Sequence, residues 1–409
     1  MGEQTARPVG VGLVGCGWFA CRCHIPALLE LEREHACRLV AICSRTRKSM
    51  ARAEARAGRA LRRHAKMDAL FADEEVDAVV LALPIPLMAG AIDAALRAGK
   101  HVLSEKPAAH SLDAGLALAA TLHALPPSAR PAWLVLENWA HKRAVRHVRT
   151  WLDEGAIGRV LGGHLSHHVR LGRADIGAGW RVGAREGGGY EGGWLADVGV
   201  HWARALRLLL GEPSMCGAHL SSIDASLGAH DSLSGWAAFE HCASALTISL
   251  SFATESSEPP TLTLRGDRGE IAMQMQTGAA ERRAGGGCGA RVTLRRAGEP
   301  AHAVPLDDDF VSGGTPESLR MGLRHVAEMM DGGGGVCSLG HQCALRDLAL
   351  ITALLHSHAK FEAVSPSARA GGSSLQSRAP ARPMRDASCT MAFTPSIAYE
   401  CASEAEVRE

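Results

Sequence analysis

Net charge is nearly absent from this 409-residue chain: 44 basic side chains against 43 acidic ones leave +1. That balance gives no electrostatic reason to expect nucleic acid or an anionic membrane as a partner. Apolar runs of membrane-spanning length are also missing, because Arg, Asp, Glu or His interrupts each one. The opening MGEQTARPVG has neither an apolar signal core nor a long Arg/Ser-rich stretch. Met1-Gly2 would suit myristoylation, but Ala6 stands where Ser or Thr is required, and the final Val407-Arg408-Glu409 is not a peroxisomal address. A cytoplasmic protein is expected. Its 12 cysteines include no CxxC pair, so reduced thiols are expected rather than a disulfide framework. Asn occurs once, at Asn138, and Lys only six times, amid abundant Arg, Ala and Gly. This is a mark of codon bias, and it makes each motif lysine easier to weigh.

The length suits two domains. Short apolar runs at 9–14, 38–43, 76–83 and 101–104 alternate with helical stretches at 24–35, 46–60, 88–98 and 111–124. Nearly continuous apolar strands between helices predict a parallel sheet covered on both faces. After Pro131 the pattern changes. A strand WLVLEN, a helix over 143–154 and a long alternating strand over 158–170 precede a glycine-rich loop at 186–193 and a helix over 195–210. Strand-like runs with polar turns from 215 to 306 predict a mostly antiparallel sheet, with helices returning at 316–331 and 341–358. The expected fold is α/β plus α+β: a Rossmann domain over 1–130, an open-sheet substrate or oligomerisation domain over 131–365, and a disordered Ser/Pro/Ala/Arg-rich tail over 366–409.

Four motifs bear on chemistry. Gly15-Cys16-Gly17-Trp18-Phe19-Ala20 is a GxGxxA pattern between the first strand and the first helix. There Gly15 permits the tight turn, Gly17 admits a pyrophosphate to the backbone, and Ala20 allows close helix packing. After the second strand, where NAD-preferring folds place a carboxylate for the ribose, stands Ser44-Arg45-Thr46-Arg47-Lys48; cations there suit a 2′-phosphate and favour NADP over NAD. Ser104-Glu105-Lys106-Pro107 closes a strand at the edge where such sheets bind ligands, and a positioned ammonium there could polarise a substrate oxygen. Asp197 and His201, four apart on one helix face, could be a zinc pair, a helix salt bridge or an acid–base pair. His164 and His168 share one face of the long strand and His167 takes the other, as sheet-surface or cleft residues. Gly285-Gly286-Gly287 is expected as a loop and Asp307-Asp308-Asp309 as a solvated turn; no metal site is expected.

Taken in order, VGLVGCGWFA, VDAVVLALP, AGKHVLSEKPAA, LENW and GGWLADVGVHWARALRLLLG resemble the Gfo/Idh/MocA oxidoreductases, from about residue 8 to LRDLALITALLHSHAKFEAV near 365. ALP and ENW look most like a plant and fungal branch. The resemblance implies an NADP-dependent enzyme moving a hydride between nicotinamide and a carbinol or carbonyl carbon of a sugar, polyol or related molecule. Lys106 would touch nicotinamide and substrate, His201 would exchange the hydroxyl proton, and Asp197 would bind substrate or orient His201. Gly15, Gly17, Trp18, Phe19, Ala20, Ser44, Arg45, Leu83, Pro84, Glu105, Lys106 and Asn138 would contact the cofactor. Ile85 and Met88 replace the usual Asn and His, and Ala140-His141 replaces a frequent Arg. The resemblance also implies a small-molecule substrate and a homodimer or homotetramer. A dinucleotide-sensing regulator without turnover is the alternative on the same scaffold.

Overall fold

The computed structural model describes residues 7–171, 190, 192–227, 230–254, 258–275, 289–333, 335 and 337–357. Strands β1 (Val9–Val14), β2 (Cys37–Cys43), β3 (Arg62–His64), β4 (Ala78–Leu81), β5 (His101–Glu105) and β6 (Trp133–Leu136) form a six-stranded sheet in the order β3-β2-β1-β4-β5-β6. Every pairing in it is parallel. The helices between the strands are α1 (Ile25–Arg33), α2 (Arg47–Ala57), α3 (Met67–Phe71), α4 (Ile85–Arg97) and α5 (Leu112–Ala124). Local chemistry sets their starts. Thr46 and Ser111 cap α2 and α5 by accepting from the backbone N–H of Ser49 and Ala114, and α4 opens with proline in its first turn. Strands β1 and β4 are buried at every position, as a sheet covered on both faces requires.

The second sheet holds β7 (Val160–His168), β8 (Pro213–Ser221), β9 (Ser232–Phe239), β10 (Leu246–Ser251), β11 (Thr261–Gly266), β12 (Glu270–Met275), β13 (Ala290–Arg295) and β14 (His302–Leu306). Its order is β14-β13-β12-β11-β7-β10-β9-β8, antiparallel except where β10 runs parallel to β7. Helices α6 (Arg143–Asp153), α7 (Gly193–Leu210) and α9 (His341–Ser357) pack on one face of this sheet. On β11 the buried residues alternate with more exposed ones, the mark of a sheet with one dry face. The fold is thus a parallel Rossmann-type sheet joined to a mostly antiparallel one.

The boundary expected at residue 130 is corrected in two ways. Strand β6 adds to the first sheet beside β5, because its four residues are buried on both sides. Helix α8 (Thr315–Met330) returns from the second half of the chain and lays Leu319, Leu323 and Val326 into the core formed with α1 and β1. The three-residue β3 and the five-residue α3 carry too little apolar signal to be read from sequence. Asp308 is not in a solvated turn: it is buried, and its carboxylate accepts from Ala144 N at 2.8 Å. The Gly285–Gly287 loop, most of the 186–193 loop and the tail over 366–409 lie outside the described residues.

Candidate active site

Every motif of the first half lies at or just past the carboxyl end of a parallel strand, so the topology alone gathers them along one edge. At the end of β1, Gly15 adopts φ 95°, and a Cβ there would lie 2.2 Å from the Ala82 carbonyl oxygen. Only glycine can make this turn. The Leu83 side chain closes the same turn, and Pro84 sits at the start of α4. Gly17 is exposed with nothing near its Cβ position. The Cys21 N–H bonds back to its carbonyl, so a helix begins at Trp18, and Phe19 and Ala20 lie in its first turn. That geometry fits a dinucleotide pyrophosphate: a backbone that can be approached closely and the N-terminus of a helix beyond it. Trp18 is 60% exposed, with the Arg22 guanidinium over its ring.

At the end of β2, Ser44 Oγ lies 3.5 Å from Cys16 N and 2.8 Å from Ser49 Oγ, tying the two loops together. Arg45, Arg47 and Lys48 are exposed, and no carboxylate among the described residues pairs with them. The expected departures are both buried, Met88 in the core of the first sheet's other face and Ile85 in the core that Trp139 and α7 share with the second sheet, and they offer a ligand nothing polar. Glu105 is anchored rather than free. One oxygen accepts from Lys106 N at 3.2 Å, and the other lies 2.8 Å from Nε2 of the fully buried His24, out of line for a hydrogen bond.

Lys106 reaches across to the second domain. Its ammonium donates to Asp197 Oδ1 at 2.8 Å and to the Asp197 carbonyl at 2.7 Å. One turn further along α7, the His201 ring nitrogen Nδ1 lies 2.7 Å from Glu137 Oε1. Glu137 follows β6, is 1% exposed, and also accepts from Trp139 N at 3.0 Å. Burial pushes its carboxyl upward, but the His201 ring, Arg204 and the Trp139 N–H outweigh that and hold it at about 2. An ionised Glu137 can only accept, so Nδ1 of His201 is the donor and Nε2 is left for chemistry. The expectation that Asp197 might orient His201 is corrected: Asp197 is engaged with Lys106, and Glu137 holds the imidazole.

Trp139, fully buried, stacks on the His201 ring at 5.5 Å and 18°. The shelf carrying Glu137 and Trp139 is bolted to residues 308–314. Asn138 Nδ2 donates to the Val311 and Gly313 carbonyls, and the buried Lys142 Nζ donates to the Asp309 carbonyl at 2.7 Å. Asn138 therefore spends its amide N–H groups on this strap. Sequence reasoning saw LENW as a family marker and missed Glu137 and Trp139 as site residues. The signal was present, an acid and an aromatic ending a buried strand, but only packing shows which histidine they meet. Tyr190, 3% exposed, is a further residue it missed; burial and the charge of Asp197 push its phenol upward. His164 and His168 face away from α7 and bond Thr247 and Ser249, each at 2.8 Å. Among the described residues no cluster of three or more His, Cys, Asp or Glu could hold a metal.

Residues 9–125 match the oxidoreductase family with the NAD-binding Rossmann fold, GFO_IDH_MocA, and residues 145–272 match the GFO/IDH/MocA C-terminal domain. A dTDP-3,4-didehydro-2,6-dideoxy-alpha-D-glucose 3-reductase from Streptomyces violaceoruber is 36% identical over 212 residues, 51% of this chain and 56% of that protein. The chain thus matches only about half the length of that curated relative. A 3-ketoreductase from Actinomadura kijaniata, solved with NADP and TDP-benzene, superposes with TM-score 0.67 at 26% identity, over 85% of this chain and 97% of that one. A dehydrogenase from the fungus Fusarium mangiferae matches at 30% over 49% of this chain and 58% of that protein. The balance corrects the expected plant and fungal affinity in favour of bacterial sugar reductases.

Proposed function

The chain belongs to the GFO/IDH/MocA oxidoreductase family, and from that premise we propose that it is an NADP-dependent reductase or dehydrogenase of a sugar carbonyl or carbinol carbon. A keto group on a nucleotide-linked deoxysugar is the first candidate. The observation that carries this is the pair of contacts that α7 makes with residues at the carboxyl ends of β5 and β6, Asp197 with Lys106 and His201 with Glu137. A bound nicotinamide would supply or accept the hydride. The chain's own groups handle the oxygen and its proton. Lys106, already cationic beside Asp197, donates to the substrate oxygen and stabilises negative charge developing there. His201 gives that oxygen a proton from Nε2 in reduction and takes it back in oxidation, while Glu137 balances the imidazolium form. Asp197 holds the ammonium in place, and Trp139 fixes the plane of the His201 ring.

The phosphate end of the cofactor supports NADP. Ser44 and the unpaired Arg45 stand where a ribose-binding carboxylate would select NAD, and a guanidinium can grip a phosphate with two hydrogen bonds. The bacterial relative and the NADP-bound ketoreductase point the substrate choice toward dTDP-keto sugars. The test is NADPH consumption by the purified protein with dTDP-3,4-didehydro-2,6-dideoxy-α-D-glucose, and NADPH formation from NADP with a panel of free hexoses and pentoses. Turnover on at least one is expected. Tight NADPH binding with no turnover in either direction over the whole panel would replace the enzyme with a dinucleotide sensor.

A further inference from the structure

His167 lies on β7 with its side chain turned from the open face toward α7, and it is 2% exposed. Its ring meets Trp202, Phe252 and Phe310 at centroid distances of 6.1, 5.6 and 5.6 Å. Trp202 and Phe310 also touch Trp139, the ring stacked on His201. His167 is therefore part of the aromatic wall around the proton-transfer histidine.

The Trp202 indole N–H donates to His167 Nδ1 at 3.0 Å. An indole only donates, so Nδ1 is the bare nitrogen and the neutral ring carries its proton on Nε2. No group among the described residues accepts that proton. Burial, with His168 and His201 nearby, drives the ring down to about 3, so it stays uncharged at neutral pH. A residue needed only to accept from Trp202 could be a serine or a backbone carbonyl, and neither would carry a second N–H beyond that bond. Nε2 has no partner, yet it is not among the fully enclosed unpartnered polar atoms, so in a ring only 2% exposed it lies on the side that reaches open space, where a ligand oxygen can take the place of water.

We propose, resting on the function proposed above, that His167 is a substrate-binding residue whose Nε2–H donates to an uncharged oxygen, a hydroxyl or ring ether, of the sugar held against His201. An uncharged donor suits that place. It fixes a sugar oxygen without competing for the proton that His201 moves.

The experiment is nitrogen NMR of the histidine rings in the full chain loaded with NADP. His167→Gln identifies the resonances of His167. The expected result is the Nε2–H tautomer between pH 6 and 8. Titration with D-glucose, D-xylose or dTDP-3,4-didehydro-2,6-dideoxy-α-D-glucose should then shift Nε2 with at least one of them. For that sugar, His167→Phe should weaken binding about tenfold while NADPH affinity stays unchanged. His167→Gln, which can accept from Trp202 and still donate, should recover most of the loss. A proton on Nδ1, or a ring that no sugar perturbs, overturns the proposal, and both are read on the unmutated protein. NADPH consumption with the keto sugar and NADPH formation with D-glucose and D-xylose are followed in parallel. A sugar-induced shift without turnover in either direction refutes the oxidoreductase function and keeps His167 as a sugar donor. Turnover with an unmoved ring refutes His167 and leaves the function standing.

Discussion

At His201 one nitrogen is tied to a buried carboxylate and the other is left free, so the residues around it make separable predictions. Lys106→Ala and His201→Ala should each lower single-turnover hydride transfer by about 100-fold or more, the scale of a positioned acid or base, as followed by NADPH fluorescence. NADPH affinity should barely change in His201→Ala, and an unchanged rate in that variant would remove the imidazole from the mechanism. Glu137→Gln should also lose rate while NADPH still binds, because a neutral amide no longer balances the imidazolium. At the opposite end of the cofactor, Arg45 is exposed with no carboxylate among the described residues to neutralise it. NADPH should therefore bind at least about tenfold more tightly than NADH, about 1.4 kcal/mol. Arg45→Ala should erase most of that difference and leave NADH untouched; equal dissociation constants in the unmutated protein would rule out the 2′-phosphate contact.

Among the elements, α7 carries both Asp197 and His201, so its seat decides the site. Two guanidiniums on its buried face share one carboxylate of α9. Arg204 Nε donates to Asp347 Oδ2 at 2.8 Å, and Arg207 Nη1 bonds Asp347 Oδ1. All three residues are nearly fully buried, and Arg207 gains a second partner in Glu212 at the end of the helix. The helices also touch where Gly199 leaves no room: a Cβ there would lie 2.7 Å from Ile351 Cδ1. Asp347→Ala should strand the Arg204 guanidinium, leave Arg207 to Glu212 and the Cys343 carbonyl, and lower the unfolding free energy by roughly 3–5 kcal/mol in urea denaturation. A loss under 1 kcal/mol would mean that water or Glu212 takes over. The helix itself is legible in the sequence, since Leu195, Trp202, Leu206 and Leu209 mark its apolar stripe. The partner of its arginines is not, because Asp347 lies far along the chain.

For the molecule as a whole, pH dependence follows from what is buried neutral. His141 and His341 are each held at about 4, and His167 at about 3, first by burial and then by nearby positive groups. The unfolded chain takes up these protons near 6.5, whereas the folded chain refuses them. Stability is therefore full above about pH 6.5 and falls as pH drops toward 4, by up to roughly 1.4 kcal/mol per histidine per pH unit. Glu137 acts in a lower window: with its folded value at about 2, its stabilisation is present above about 4.5 and is lost as pH falls toward 2. Urea midpoints at pH 7, 6 and 5 should decline steadily. A flat series would show that these rings protonate without unfolding.

Local sequence was enough for the parallel sheet, for the turn at Gly15 and for the edge on which the motifs gather. Each depends on short-range rules: strand-length apolar runs, a glycine where φ must be positive, and strands that all point one way. The Asp197/His201 face was equally legible, because four residues make one helical turn. Which partner each side chain takes was decided only by the tertiary structure. Asp197 meets Lys106 across 91 positions of chain, and His201 meets Glu137 across 64. The return of α8 into the first core and the burial of Asp308 beside α6 are of the same kind. Periodicity reports which face of an element is dry, but the choice among equally apolar or equally charged partners is made by packing, once the chain closes and a buried charge or N–H must find its complement.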